Sequence, residues 1–249
     1  MDFRTALIEE TKSFGDVIRG ADPSTPVPTC PGWTLNQLFK HVGRGNRWCA
    51  QIIAHRMLHP LDPRDVPDGK PPDDLDGALA WLSGGVQAIF DAVDHVGPET
   101  RVWTFVSPKP AGWWIRRRLH ETVVHRADAV LATGGEFTVA PELAADGISE
   151  WITLNTAQAD PHAPPLARGT SLHLHATEDW LGPTGEWTIT NDEDGLNWSH
   201  DHTKGEVAVR GSATNLLLAV TRRKTSTEAG LEVFGDAAVW DGWLSRTPF

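Results

Sequence analysis

Tyrosine is absent from this chain of 249 residues, and cysteine occurs only at Cys30 and Cys49. Two cysteines are too few for a disulfide framework and suit a reducing compartment, so we expect a cytoplasmic protein. No apolar run approaches the roughly 20 residues of a membrane-spanning helix. Acidic residues outnumber basic ones, and the net charge of −11 argues against nucleic acids or anionic membranes as partners. The N-terminal segment carries charges throughout, unlike a signal peptide.

The first 160 residues have the hydrophobic spacing of helices, beginning with an amphipathic helix within residues 1–20. Thr34 and Gln37 form a capping box that begins a second helix, which we expect to run to about Leu58. The same periodicity predicts further helices over about 73–96, 111–133 and 141–158. These segments predict a helical bundle over residues 1–160.

Strict alternation of apolar and polar residues replaces the helical spacing after about residue 167. It is clearest in "SLHLHAT" and "EWTIT" and brief in "EVAVRG", and it predicts strands separated by turns such as "NDEDG". Ser212 caps a short helix, "GLEVFG" is a short strand, and a last short helix follows it. We therefore predict an α + α/β two-domain chain, with a small α+β domain over residues 168–249.

The motif with the clearest chemical meaning is "HETVVH", residues 120–125. Its two histidines are five residues apart, about 140° around a helix, and cannot easily share a metal ion. Glu121 and His125 are four apart, on one helix side, and both can reach one divalent ion. His41, in an apolar stripe of another helix, is the best candidate for a third ligand. Three protein ligands leave a fourth position open, which is typical of a catalytic zinc site.

Other interpretations of these residues stay open at this point. A Glu–His pair at this spacing is common on solvated helix faces. A lone histidine such as His41 on an apolar stripe is often a hydrogen-bonded core residue. The spacing alone is therefore weak evidence for a metal site.

Two longer segments resemble a known family. "CPGWTLNQLFKHV" (30–42) and "RRLHETVVHRADA" (117–129) are similar to the two signatures of the mycothiol-dependent maleylpyruvate isomerase family, in the DinB-like metalloenzyme superfamily. "VAVRGSATNLLLAVTRRK" and "LEVFGDAAVWDGWL" resemble its C-terminal domain. The resemblance implies a DinB-like up-down helical bundle followed by a small sterol-carrier-protein-like α+β domain.

The resemblance also implies an activity. His41, Glu121 and His125 are the expected metal ligands, and zinc, or another divalent metal, is the expected ion. The thiol of mycothiol would occupy the open metal position and add to an electrophilic small molecule similar to maleylpyruvate. The expected enzyme is an isomerase or an S-transferase, and we expect a monomer or homodimer.

The family's catalytic arginine comes from the C-terminal domain. Family members usually end the corresponding helix with Gly-Arg, whereas this chain reads "VTRRK", with Thr221 in the glycine place. Arg222 is the match and Arg223 the near alternative. The other interpretation of Arg222 is a cation favoured by the dipole at a helix C-terminus.

Several further residues have two interpretations. Arg44 and Trp48 follow His41 by one and two turns and could bind the cofactor at a pocket mouth, although the favoured interpretation of Trp48 is a core residue. Asp128 could orient His125 or be a plain helix-face charge. Arg116, Arg117 and Arg118 are expected to be solvated or paired, although a basic cluster near the site could hold an acidic thiol or substrate. His120 is expected to point away from the ligand face.

Two histidines of the second domain, His173 and His175, share one strand face. They could pair on a metal ion, but no third ligand is apparent in the sequence. We therefore expect no metal site there.

Two other function classes remain possible beside the thiol-using enzyme. A binding protein for a small molecule or lipid would hold its metal only for structure, and such a site usually has four protein ligands. A metal-dependent hydrolase would need a general base near the ion, for which only His120 and Asp128 are candidates. The three-ligand set favours the enzyme.

Overall fold

The computed structural model describes residues 1–160 and 162–249 and divides into two compact units, Met1–Phe137 and Thr138–Phe249. Pro161, in the predicted interdomain segment, lies outside the described residues. Among the described helices, none is both long enough and apolar enough to cross a membrane.

Four helices make up most of the first unit, and a two-stranded ribbon connects the last two. The helices are α1 (Phe3–Arg19), α2 (Leu35–Ala54), α3 (Leu75–Val96) and α4 (Trp113–Ala132), and the ribbon is β1 (Arg101–Val102) and β2 (Lys109–Pro110). The helices bury a shared core that includes Phe14, Leu38 and Leu82.

Side-chain caps begin three of these helices, because the first N–H groups of a helix have no partner within it. Asp2, Thr34 and Asp74 accept these hydrogen bonds for α1, α2 and α3. The predicted capping box of Thr34 and Gln37 is confirmed. Helix α2 ends at Ala54 rather than near Leu58, because Arg56 adopts a left-handed φ of 48°.

The second unit is a five-stranded sheet with three helices. Its elements are α5 (Pro141–Gln158), β3 (Ser171–Ala176), β4 (Glu186–Asp192), β5 (Gly195–Ser199), β6 (Val207–Gly211), α6 (Ala213–Val220), β7 (Glu232–Gly235) and α7 (Ala237–Arg246). The strand order is β5-β4-β3-β6-β7, and only the central β3–β6 pair is parallel.

Helix α5 has the bounds that the sequence predicts, but it belongs to the second unit. The indole of Trp151 donates to the carbonyl of Val220 on α6 at 3.1 Å, and Ser149 accepts from Trp187 on β4 at 2.8 Å. The contacts therefore divide the chain after residue 137, whereas the sequence placed the boundary between 160 and 168. Periodicity identifies a helix but not the surface on which it packs.

Candidate metal centre

Helix α2 carries His41 to the side of the bundle where α4 passes. Its imidazole lies 5.0 Å, centroid to centroid, from the ring of His125 and 4.9 Å from that of Trp33. Unlike a core histidine, His41 keeps 41 % of its side chain exposed. This partial exposure leaves room for a ligand beside the ring.

Glu121 and His125 lie one turn apart on α4 and face His41. Glu121 Oε1 is 3.5 Å from His125 Nε2 and 3.8 Å from His41 Nε2. One ligand atom from each of the three residues lies within 4.8 Å of the other two. Helix geometry places Glu121 and His125 together, and the packing of α2 on α4 brings His41 beside them. Their role as metal ligands stays a prediction.

The buried carboxylate of Asp128 fixes the orientation of His125. Asp128 Oδ2 lies 2.8 Å from His125 Nδ1, so that Nε2 is the nitrogen turned to Glu121 and His41. The Thr29 hydroxyl donates to Asp128 Oδ1 at 2.6 Å, and Cys30 Sγ lies 3.5 Å from Oδ2. Of the two interpretations of Asp128 open to the sequence, the structure therefore shows the orienting contact.

These neighbours also set the protonation of His125. Burial alone would lower its pKa, but hydrogen bonds to Asp128, Cys30 and Glu121 raise the pKa of His125 to about 10. A metal ion binds imidazole through its lone pair, so an ion at Nε2 would take the place of a proton. For His41, desolvation lowers the pKa against the opposing hydrogen bond with Glu121.

Two buried arginines surround Glu121. Arg117 forms an ion pair with Glu121 Oε2, which leaves Oε1 to the histidines. Burial would raise the pKa of Glu121, but Arg117, His125, His41 and Arg118 hold it well below its usual range, so the carboxylate is ionised. Arg118 donates to Asn46 Oδ1 at 2.8 Å and to the carbonyl of Val42 at 3.2 Å. Arg117 and Arg118 are thus paired, as expected, but not solvated.

A cavity of about 560 Å³ opens onto this group within the first unit. His41 and Glu121 line it together with both predicted cofactor-binding residues, Arg44 and Trp48. Arg118, a candidate from the basic cluster of residues 116–118, also lines the cavity. Sequence reasoning missed the other lining residues, which are Trp33, Gln37, Lys40, Gly45, Pro63 and Phe105. Helical spacing could have identified Gln37, which precedes His41 by four residues and therefore lies on the same side of α2.

Aromatic rings and basic side chains make up the wall of the cavity. The ring of Trp48 stacks on Phe105 at 5.9 Å, and its indole N–H donates to the carbonyl of Leu61 at 2.7 Å. The guanidinium of Arg44 donates to the carbonyl of Gly69 at 3.0 Å. The cavity therefore combines an apolar wall with positive charge from Arg44, Lys40 and Arg118.

The donor set suits a divalent transition metal. Two imidazole nitrogens and one carboxylate oxygen are ligands that zinc accepts, and a three-residue set leaves a position open. The Asp128–His125 contact is the arrangement usual behind a metal-bound histidine. His120 is buried and lies outside the group, as expected.

Comparison with known proteins identifies the family. The model of the mycothiol maleylpyruvate isomerase N-terminal domain matches residues 4–130, and that of the corresponding C-terminal domain matches residues 142–242. The chain belongs to the mycothiol maleylpyruvate isomerase family. The predicted family is thereby confirmed, and with it the prediction of an enzyme.

Solved structures agree with this family at the level of the fold. A crystal structure of the mycothiol-dependent maleylpyruvate isomerase is 16% identical, with a TM-score of 0.58 over 90% of this chain and 89% of that chain. A histidine-to-alanine mutant of that enzyme is 15% identical, with a TM-score of 0.53 over 90% of both chains. Among curated proteins, none matches significantly. The predicted fold of a helical bundle followed by a small α+β domain is confirmed.

Arg222, matched to the catalytic arginine of the mycothiol maleylpyruvate isomerase family, lies directly after the C-cap of α6. Its side chain is exposed, and its backbone has a left-handed φ of 60°. The alternative, Arg223, stacks on the Phe249 ring at 4.4 Å and donates to the carbonyl of Thr221 at 2.7 Å. The catalytic role of Arg222 stays a prediction that rests on the resemblance.

Proposed function

We propose that this member of the family is a zinc-dependent enzyme that uses mycothiol to isomerise a small electrophile similar to maleylpyruvate. The observation that carries the proposal is the convergence of His41, Glu121 and His125 beside a cavity of about 560 Å³. Zinc held by these residues would lower the pKa of a bound thiol and so supply a nucleophile at neutral pH.

The protein side chains would keep this donor set ready. Asp128 holds His125 so that its Nε2 faces Glu121, and Arg117 holds one oxygen of Glu121 while the other faces the histidines. Both supporting groups are buried, so bulk water competes weakly for them. This arrangement keeps Glu121 ionised and fixes the ring orientation of His125.

The cavity wall would bind the electrophile and the thiol. Maleylpyruvate is a dicarboxylate, and the cations of Lys40, Arg44 and Arg118 offer charge-assisted hydrogen bonds to carboxylates. The rings of Trp48 and Phe105 would exclude water from the same space and so strengthen those hydrogen bonds. We retain Arg222 as the proposed further catalytic cation.

Two other functions receive less support. A hydrolase needs a free general base, but Asp128 is engaged by His125 and Thr29, and His120 lies outside the ligand group. A purely structural metal site would usually show four protein ligands. Cys30 and Asp128 lie at the Nδ1 side of His125, away from the nitrogen turned to His41, so neither supplies a fourth ligand to an ion held there.

An S-transferase would use the same site as the isomerase. The two differ only in whether the thiol leaves the product.

The test is an isomerisation assay on the purified chain with maleylpyruvate, with and without mycothiol. We expect cis-to-trans conversion that needs the thiol, stops after zinc is removed by a chelator and returns when zinc is added. The His41→Ala variant should be inactive, while His55→Ala, at the exposed end of the same helix, should remain active. A thiol adduct accumulating as final product would identify an S-transferase, and full activity without thiol or zinc would refute the proposal.

A further inference from the structure

A second group of metal-binding side chains lies on one face of the sheet in the second unit. His173 and His175 are two residues apart on β3 and therefore project from the same face. In the antiparallel β3–β4 pair, Glu186 lies opposite His175. Side chains at paired positions share a face, so the sheet register alone brings two imidazoles and a carboxylate together.

A fourth donor, His202, comes from the segment that follows β5. Thr188 of β4 lies opposite His173 and donates its hydroxyl to the carbonyl of Asp201 at 2.6 Å. The hydroxyl of Thr203 donates to Thr188 Oγ1 at 2.9 Å. The residues on both sides of His202 are thus anchored to β4, and its ring is held over the sheet.

The four side chains converge on one point. Glu186 Oε2 lies 2.9 Å from His173 Nε2 and 2.5 Å from His202 Nδ1. The His202 ring lies 5.2 Å from that of His173 and 5.9 Å from that of His175, centroid to centroid. One ligand atom from each of the four residues lies within 4.8 Å of the others.

The surroundings of this cluster suit a cation. Arg210 on β6 lies opposite His175, but its guanidinium forms an ion pair with Glu232 at 3.0 Å rather than with Glu186. His173 is buried, whereas His202 keeps 72 % of its side chain exposed. An ion can therefore enter from the side of His202 and meet a fixed inner ligand.

We propose that His173, His175, Glu186 and His202 form a second zinc site, separate from the candidate metal centre on the helices. Ligand atoms around a tetrahedral zinc ion are about 3.3 Å apart, given bonds of about 2.0–2.1 Å. The ligand atoms of the cluster lie within 4.8 Å of one another, and His175 and His202 are at least partly exposed, so their rings have room to rotate towards that spacing. Imidazole donors select zinc and related transition metals over calcium or magnesium.

Four protein ligands fill the coordination sphere, so this site has a structural role rather than a catalytic one. The ion would join the segment around His202 to strands β3 and β4. It would therefore stabilise the folded second unit, because a metal that binds only the folded chain shifts the folding equilibrium towards it.

The test uses the full chain with His41→Ala, which removes a ligand of the first centre, so that bound zinc reports on the second. After equilibration with zinc and gel filtration, we expect about one zinc ion per chain, measured by plasma mass spectrometry. Adding His175→Ala and His202→Ala should remove that ion. Adding His162→Ala, at an exposed histidine of the same unit, should not. Zinc should also raise the unfolding temperature of His41→Ala but not of the triple variant.

Two results would overturn the second site. One is an absence of zinc from His41→Ala, in which case the cluster is only a hydrogen-bonded network. The other is equal zinc in the triple variant and in the His162→Ala control. Circular dichroism without zinc checks that each variant folds, and both substituted cluster histidines are at least partly exposed. Failure of the first centre alone would appear separately, as equal zinc in the wild type and His41→Ala.

Discussion

At the residue scale, Asp128 acts on the candidate metal centre through His125. Its carboxylate is fully buried and fixes the Nδ1 side of the ring, while Thr29 fixes the carboxylate. Such partners orient a ligand and increase its basicity. The metal affinity of the centre should therefore depend on a residue that lies behind the ligand.

We predict that Asp128→Asn lowers zinc affinity about 10- to 100-fold, because the shape is kept while the charge that orients His125 is lost. Competition with a chromophoric chelator measures this change, with His175→Ala and His202→Ala present in every protein compared so that only the first centre contributes. Asp94→Asn is the matched control, since Asp94 is exposed and pairs with Arg4 elsewhere in the bundle. Equal affinity in Asp128→Asn and wild type would show that the contact has no role in metal binding.

The sequence predicts some residues of the site better than others. Glu121 and His125 follow from their spacing, and His41 from its place in the α2 stripe. The burial of Arg118 does not follow, since it depends on contacts of α4 with α2. A Cβ at Gly45 would lie 2.8 Å from Arg118 Nη2, and the Asn46 side chain accepts from Nε. Periodicity within one helix carries no information about these contacts.

At the scale of the elements, α2 and α3 approach closely at Gly43. A Cβ at this position would lie 2.0 Å from a ring carbon of Trp81. That ring has little freedom to move, because its N–H donates to the carbonyl of Asp68 at 2.7 Å and the Arg47 guanidinium lies over it at 4.4 Å. Glycine at position 43 is therefore required for the packing of the two helices.

We predict that Gly43→Ala lowers the free energy of unfolding by about 1–3 kcal/mol through overpacking. Gly84→Ala is the control, because Gly84 is an exposed residue of α3 and its Cβ would approach only the flexible end of Arg47 at 3.6 Å. That control should gain about 0.5–1 kcal/mol. Urea unfolding of the zinc-free chain compares both, and a Gly43→Ala variant as stable as wild type would contradict the packing account.

Arg222 follows α6 at the C′ position, which in helices generally is most often glycine. The N–H of Arg222 bonds to the carbonyl of Ala219 and that of Arg223 to Leu218, which is the Schellman arrangement with a left-handed residue at C′. A left-handed non-glycine residue costs about 1–2 kcal/mol. Backbone strain of this kind is common at functional sites, so the position agrees with the proposed role of Arg222.

We predict that Arg222→Gly raises the free energy of unfolding by about 1 kcal/mol yet lowers kcat/KM about 10- to 100-fold, the loss expected when a hydrogen bond to a charged group is removed. Isomerisation kinetics and urea unfolding on the same preparation test both parts. Arg223→Gln should keep its activity. Unchanged kcat/KM in Arg222→Gly would show that Arg222 does not have the role of the family's catalytic arginine.

Elements differ in how well the sequence predicts them. Helix α5 has the predicted bounds because its proline start and apolar spacing are local features. Strand β5 was missed, since "GLNWS" is half-exposed and lacks alternation of buried and exposed residues. Missing β5 also hid the position of His202, the fourth ligand. Glu186 lies on the predicted strand β4, and it was not recognised because its place opposite His175 depends on the register of β3 with β4.

At the scale of the whole molecule, the order of the two parts could be predicted because the resemblance extends over both. The family models match the same two regions. The boundary between the two parts was harder to place from the sequence than their order. It depends on whether α5 packs on α6 and β4 or on the bundle. Each unit has its own group of histidine and carboxylate side chains that could hold a metal ion, one on helices and one on and beside a sheet.

We propose that His41, Glu121 and His125 together hold one zinc ion. The most direct measurement is the zinc content per chain of His41→Ala and His125→Ala after equilibration with zinc, compared with wild type and with His55→Ala. We predict that each ligand variant holds about one zinc ion fewer than wild type while His55→Ala holds the same number. Equal zinc in all four proteins would show that these residues do not hold a zinc ion.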